Sequence, residues 1–371
     1  MRWLLLVGSL VSFSLEAQSP LYPVPRAGGG IFFHHYGFSD GVGLQAADQM
    51  VVPLFFGTPL NRRTVVDVNT AVAFTRVSWR NGNSASISGP TDTKIRVSHT
   101  IGRDVAVVSL GLNLPTGNSE VPQGQAAVAQ SVAQNFIPFP VSLYGAGFGL
   151  NAGGAFAKEI GGWSLGAAGS LRFLAPYQLS VGVDTQSTVD YSPGLEMMLR
   201  VGARRAFEKS TFLAGLALST YGTDELRGGL QDYRYHTGTR VVAEIQGTHQ
   251  VGRNVLKAEG WVYYRAPGDS NAVVVPQAEE RVMEATFSGT IPTGFGINAE
   301  PLWAVRSWRA GDGSSGWLTT IGAQTIYFPR PDTEIAPRLG FRFGRLAFAG
   351  ATTPQSTILG LELSVYVRKT L

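Results

Sequence analysis

The stretch that decides the fold is Ile358-Leu359-Gly360-Leu361-Glu362-Leu363-Ser364-Val365-Tyr366-Val367-Arg368-Lys369-Thr370-Leu371. Leu359, Leu361, Leu363, Val365 and Val367 alternate with Gly360, Glu362, Ser364, Tyr366 and Arg368, and a period of two marks a β-strand. One face is wholly apolar; the other carries a carboxylate, hydroxyls and a guanidinium. Two such faces need different surroundings, and lipid on one side with a polar lumen on the other provides them.

The composition of the whole chain agrees. Of 371 residues 46 are glycine, 15% are charged and 11% are aromatic, and the mean hydropathy of +0.06 is high for a soluble surface. Past the N-terminal segment no run approaches the roughly 18 uncharged apolar residues of a membrane-crossing helix. A transmembrane antiparallel β-barrel hides its hydrophobicity by alternation and yields this combination. With no cysteine, thiolate metal sites, thiol catalysis and disulfides are excluded. The net charge of +4 is spread thinly, leaving no footprint for nucleic acid, and no motif calls for a cofactor or metal.

Met1-Arg2, the apolar run from Trp3 to Phe13 and then Ser14-Leu15-Glu16-Ala17 read as a secretory signal peptide over residues 1–17. Export fits a place in the bacterial outer membrane, with membrane lipid as a partner and the barrel-assembly machinery needed for insertion. Residues 18–62 behave differently from the rest. Ile31-Phe32-Phe33-His34-His35-Tyr36 and Met50-Val51-Val52-Pro53-Leu54-Phe55-Phe56 are apolar without clean alternation, so a plug inside the lumen is expected, with two additional strands as the alternative.

From residue 63 onward the alternation is regular and predicts fourteen strands, or sixteen if the N-terminal segment adds two. Tight turns and longer connections alternate between them, as in barrels with short periplasmic turns and long outer loops. Ala106, Val108, Leu110, Leu112 and Leu114 share one face, as do Phe212, Ala214, Leu216 and Leu218; these are the lipid-facing expectations. The opposite faces carry Arg96, Arg172, Arg200, Glu244, Glu259, Arg342 and Glu362 among others. Mixed signs fit a lumen that pairs with itself or holds a plug, and Glu362 is expected to meet a basic partner.

The longest connection, residues 115–144, contains a run from Gln123 to Asn135 with Val128, Val132 and Phe136 four residues apart, one face of a helix. With Phe139 this apolar face either packs over the barrel mouth or captures an apolar solute. Gly147 to Ala152 reads G-x-G-x-x-A but lies within a strand pattern, so it fails as a dinucleotide fingerprint. His34 and His35 are adjacent on an extended segment and point opposite ways. His236 and His249 have no Ser and acid nearby in sequence; a hydrolase needs those groups to assemble in space.

Leu112-Asn113-Leu114-Pro115-Thr116-Gly117, a strand ending in Pro-Thr-Gly before a long outer loop, resembles a motif in barrels of a phenol-degradation meta-pathway. The general plan is also similar to that of the long-chain fatty-acid transporters, although their Asn-Pro-Ala plug start is absent. The resemblance implies passive uptake of hydrophobic small molecules, aromatic hydrocarbons or fatty acids, past Phe32, Phe33, Tyr36, Phe55 and Phe56 in the plug and Val128, Val132, Phe136 and Phe139 in the loop. A general pore or structural barrel is the alternative reading, and an outer-membrane hydrolase a minor one.

Overall fold

Alternating side chains build a closed antiparallel barrel of sixteen strands. In chain order these are β1 (Arg26–Phe38), β2 (Leu44–Asn61), β3 (Thr64–Trp79), β4 (Ser84–Pro90, resuming as Thr93–Ile101), β5 (Ala106–Leu114), β6 (Gly149–Ile160), β7 (Trp163–Leu174) and β8 (Glu196–Ala206). Then follow β9 (Ser210–Tyr221), β10 (Arg240–Val251), β11 (Asn254–Arg265), β12 (Glu280–Gly294), β13 (Ile297–Ala310), β14 (Ser315–Arg330), β15 (Thr333–Ala347) and β16 (Ser356–Thr370). The computed structural model describes residues 24–39, 41–102, 105–119, 123–179, 189–228, 232–270, 278–348 and 355–371. The signal segment expected at 1–17 lies outside them.

Each strand pairs with its sequence neighbours, and β16 returns to β1 from Arg26↔Thr370 to Phe38↔Ile358. Closure leaves the sheet no unpaired edge. Short turns gather at the end that also holds both termini of the barrel. The long connections all lie at the other, beside shorter ones at 39–43, 80–83 and 311–314, and there a separate sheet of five short strands (Tyr177–Leu179, Val189–Ser192, Thr223–Arg227, Tyr233–His236 and Asp269–Ser270) stands above the wall.

The fourteen strands expected from residue 63 onward are present as β3 to β16; of the plug expected at 18–62, residues 26–61 form strands instead, and residues 18–23 lie outside the described residues. Residues 26–61 are β1 and β2, wall strands joining β16 to β3. Their apolar runs lack alternation because both faces are apolar for different reasons. Ile31, Met50, Leu54 and Phe56 are exposed on the outside, whereas Tyr36, Phe38, Ala47 and Val51 are buried on the inside against a hydrophobic cluster. A strand apolar on both faces reads as a continuous run. Pairing of β1 with β2 is interrupted between Gly29↔Leu54 and Phe32↔Val51, opposite Pro53, which has no N–H to donate.

The outer surface is apolar along its middle. Val108, Leu110 and Leu112, with Leu216 and Leu218, are exposed there as expected, and so are Leu359, Leu363, Val365 and Val367 of the closing strand. Phe148 lies at the long-loop end. Phe295, at φ 52° between Gly294 and Gly296, forms the tip of a short turn at the other and is 98% exposed.

Candidate functional site

What occupies the lumen is the long connection between β5 and β6. Its base is set by a fault in β4. The two halves of that strand pair with β3 at Val72↔Pro90 and Asn69↔Lys94, so one extra residue sits on the β4 side, a bulge at Thr91-Asp92. The bulge turns the Asp92 carboxylate inward, where it accepts from Asn113 Nδ2 (2.7 Å), Gly117 N (3.1 Å) and Ala146 N (2.6 Å). Thr116 Oγ1 accepts from Thr93 N at 2.8 Å and donates to Thr91 O at 3.0 Å. The Asn113 to Gly117 motif is therefore the clasp that closes the loop's base. Gly117 is required there, because a Cβ would lie 2.0 Å from Tyr144 O.

Within the loop a 3₁₀ turn (Gln123–Gln125) leads into the short helix α1 (Ala126–Val132). The helix is shorter than the expected run to Asn135, and the chain then crosses the bore towards β13 and β14, the wall facing β5 and β6. Val128, Val132, Phe136 and Phe139 are at most 1% exposed. They pack with Tyr36, Val51, Val77, Ile87, Leu318, Leu346 and Ile358 of the wall, so packing over the mouth consumes the helix face. Phe139 stands edge-on to Tyr36 at 5.2 Å, and Phe136 lies against Trp308 at 5.6 Å.

Polar anchors complete the docking. Gln49, fully buried, pairs its amide with the Val141 backbone, accepting from N at 2.9 Å and donating to O at 2.6 Å, and donates again to Thr75 Oγ1 at 2.9 Å. Thr75 bonds Tyr144 Oη at 2.7 Å, and Tyr144 donates to Ile87 O at 3.1 Å. Burial pushes the Tyr144 phenol up to about 12, with the Thr75 hydrogen bond opposing the shift, so it stays a neutral donor. Across the bore, Asn135 Nδ2 donates to Glu280 at 2.7 Å and Arg306 Nη1 donates to Asn135 O at 3.3 Å.

The Phe136 ring rests on Gly316 of β14, where a Cβ would meet it at 2.6 Å and Arg345 O at 2.9 Å. Gly316→Val is accordingly expected to push the loop off that wall, costing about 1–3 kcal/mol as an overpacked core does. Thermal unfolding of the purified barrel measures the loss, and an unchanged midpoint would show that Phe136 is not seated there.

Below the loop the lumen is charged and paired, as the mixed signs in the sequence imply. Asp67 holds Arg96 at 2.9 Å, Glu196 holds Arg172 at 3.5 Å, Glu244 holds Arg200, and Glu259 holds Lys257 at 2.7 Å. Glu362 meets Arg342 at 2.6 Å and Arg338 at 3.1 Å, both on neighbouring β15. Arg342 also donates to the Tyr36 hydroxyl, and Arg306 is held by Glu284 at 2.6 Å. Under the loop lies a cavity of about 190 Å³, lined by Pro138, Glu259, Glu284, Arg306, Arg338 and Arg342 with threonines, an alanine, Leu302 and Leu318 between them.

No family model matches the chain, and no curated protein matches it in sequence. Among solved structures it is similar to a TodX monoaromatic hydrocarbon channel mutant (TM-score 0.46, 10% identity, 96% of this chain and 92% of that one). It is also similar to a FadL homologue of Pseudomonas aeruginosa (0.46, 11%, 94% and 90%) and to an anion-selective porin from Comamonas acidovorans (0.42, 11%, 94% and 98%). Likenesses this distant carry no argument about what this chain passes.

The aromatic residues singled out in the sequence divide. Phe32, Tyr36 and Phe55 face the lumen, with Phe55 stacked on Tyr366 at 6.0 Å near the short-turn end. Phe33 and Phe56 belong to the outer face, opposite Met50 and Ala27 in register, so they do not join the lumenal group. The two adjacent histidines separate as well: His34 is buried inside, while His35 faces out and bonds Asp48 at 2.6 Å. His249 sits beside Ser210 at 2.8 Å on the exposed outer surface near the short-turn end. Among the described residues no group of three or more His, Cys, Asp or Glu side chains could hold a metal ion.

Three contributors escaped the sequence reading. Arg306 was legible, since it shares the inward phase of Glu300 on β13. Gln49 lay in a run with no visible phase. Asp92 lies in a bulge, which by its nature has no periodicity.

Proposed function

We propose that the chain is an outer-membrane diffusion channel for small hydrophilic solutes, constricted by its own 115–148 loop. One observation carries the reading: the loop's apolar side chains are spent on the wall, and the cavity beneath it presents Glu259, Glu284, Arg306, Arg338 and Arg342 with the hydroxyls of Thr286 and Thr320, beside apolar Pro138, Leu302 and Leu318. A passing solute there exchanges water for charged and hydroxyl groups. The apolar outer belt supports the membrane setting, with short turns on the periplasmic side.

Uptake of hydrophobic small molecules is the second reading. What supports it is the apolar cluster between loop and wall, from Tyr36 to Phe139, which an outward swing of the loop would uncover. Liposomes containing the purified chain separate the two. Entry of arabinose and small amino acids at rates above protein-free liposomes is the expected result. No polar flux, together with faster uptake of labelled toluene or oleate by cells that carry the chain, would replace the first reading with the second.

The membrane setting has its own test. Leu110, 67% exposed in the middle of β5, faces lipid in this reading, and Leu110→Arg is expected to destabilise the barrel by about 2–4 kcal/mol in bilayers. A neutral effect on unfolding in lipid would argue against a lipid-facing belt at that position.

A further inference from the structure

The charges around the cavity beneath the loop are sorted by strand. Glu259 and Glu284 come from β11 and β12, while Arg338 and Arg342 both come from β15. Arg306 stands between them and is taken by Glu284 at 2.6 Å. On the β15 side two guanidiniums share one carboxylate, Glu362. The Arg342 side chain is 9% exposed, yet its Nε has no hydrogen-bond partner; Arg338 Nε lies 3.1 Å from Glu362 but is not aligned for a hydrogen bond. Two guanidiniums carry about ten N–H donors against about four acceptor positions on Glu362, so donor capacity is in excess on that wall. On the other wall the side chains of Glu259 and Glu284 are 27% and 23% exposed, and a carboxylate offers about four acceptor positions, more than Lys257 and Arg306 fill.

We propose that this cavity binds a small zwitterion in transit, an amino-acid-like solute whose carboxylate goes to Arg338 and Arg342 and whose ammonium goes to Glu259 and Glu284. The proposal rests on the hydrophilic-channel reading and gives it a solute class. A simple anion gains the guanidiniums but faces two carboxylates, a simple cation meets the reverse, and a neutral solute gains neither. A solute carrying both charges satisfies both walls, and the like-charge contacts discriminate against the others. The cavity of about 190 Å³ exceeds many times the roughly 10–15 Å³ that one water needs on this measure, which leaves room for a solute as small as alanine.

The test uses the full chain in liposomes and four solutes of one shape: L-alanine, L-lactate, L-alaninamide and lactamide. Alanine flux is expected to saturate and, at low concentration, to exceed lactamide flux roughly tenfold, the ratio equivalent to ~1.4 kcal/mol. Arg338→Gln and Glu259→Gln are each expected to abolish that preference, with circular dichroism and heat-dependent gel mobility confirming that each variant is folded. Equal, non-saturating flux of alanine and lactamide would overturn the zwitterion site while leaving a channel. Lactate outrunning alanine would overturn it in favour of a plain anion path. If none of the four crosses, the channel reading itself falls and the site with it.

Discussion

Asp92→Ala is expected to undock the lumenal loop and raise single-channel conductance. The carboxylate satisfies three buried donors, Asn113 Nδ2 and the N–H groups of Gly117 and Ala146, and Asp92 is itself only 7% exposed. Each orphaned donor costs about 1–3 kcal/mol, more where the lost acceptor was charged, so several kcal/mol fall on the loop's two ends at once. The sixteen-strand ladder does not pass through these bonds, and the barrel is expected to persist while the loop samples the exterior. Planar-bilayer recording reads the conductance, and limited proteolysis reads exposure of residues 123–140. A variant with wild-type conductance and wild-type resistance to protease would show that Asp92 is not what holds the loop. Asp92→Asn keeps the shape but turns one acceptor into a donor facing N–H groups, so an intermediate effect is expected.

Glu362→Gln is expected to be the most destabilising single change in the lumen wall. Glu362 is the carboxylate shared by Arg338 and Arg342, with side-chain exposures of 6%, 31% and 9% respectively. Removing one partner of a buried ion pair typically costs about 3–5 kcal/mol, because the remaining charge is left uncompensated. Arg342 keeps the Tyr36 hydroxyl as a neutral acceptor, which offsets only part of that. The constriction also gains a positive charge, so the reversal potential in a potassium chloride gradient is expected to move towards chloride. Thermal unfolding and ion preference both unchanged would mean that the pair is solvated well enough to be dispensable.

Much of this was readable from the chain alone. The closing strand's alternation assigns Leu359 to Val367 outward and Gly360 to Arg368 inward, and the wall repeats that rule in thirteen other strands from residue 63 onward. Parity is local chemistry: a side chain's face follows from its position in the strand. The same parity placed Glu362 inward, and its basic partners lie on the adjacent strand. What sequence determined was therefore the strands, their faces and the paired character of the lumen. Tertiary structure alone decided two things. Residues 26–61 are wall because they pair with β16 and β3, and their inner face near the loop is apolar because the folded loop buries it, with contacts from nearly a hundred positions away such as Val141 on Gln49. The apolar helix face of the loop is likewise packed away, because β1, β2, β3, β14, β15 and β16 bring matching apolar side chains to it. Burial on both sides of a strand, or of a loop, depends on what the rest of the chain places opposite, and periodicity within the segment cannot report that. For the closing strand, this makes its apolar outer face a property of its own residues and the setting of Glu362 a property of the whole barrel.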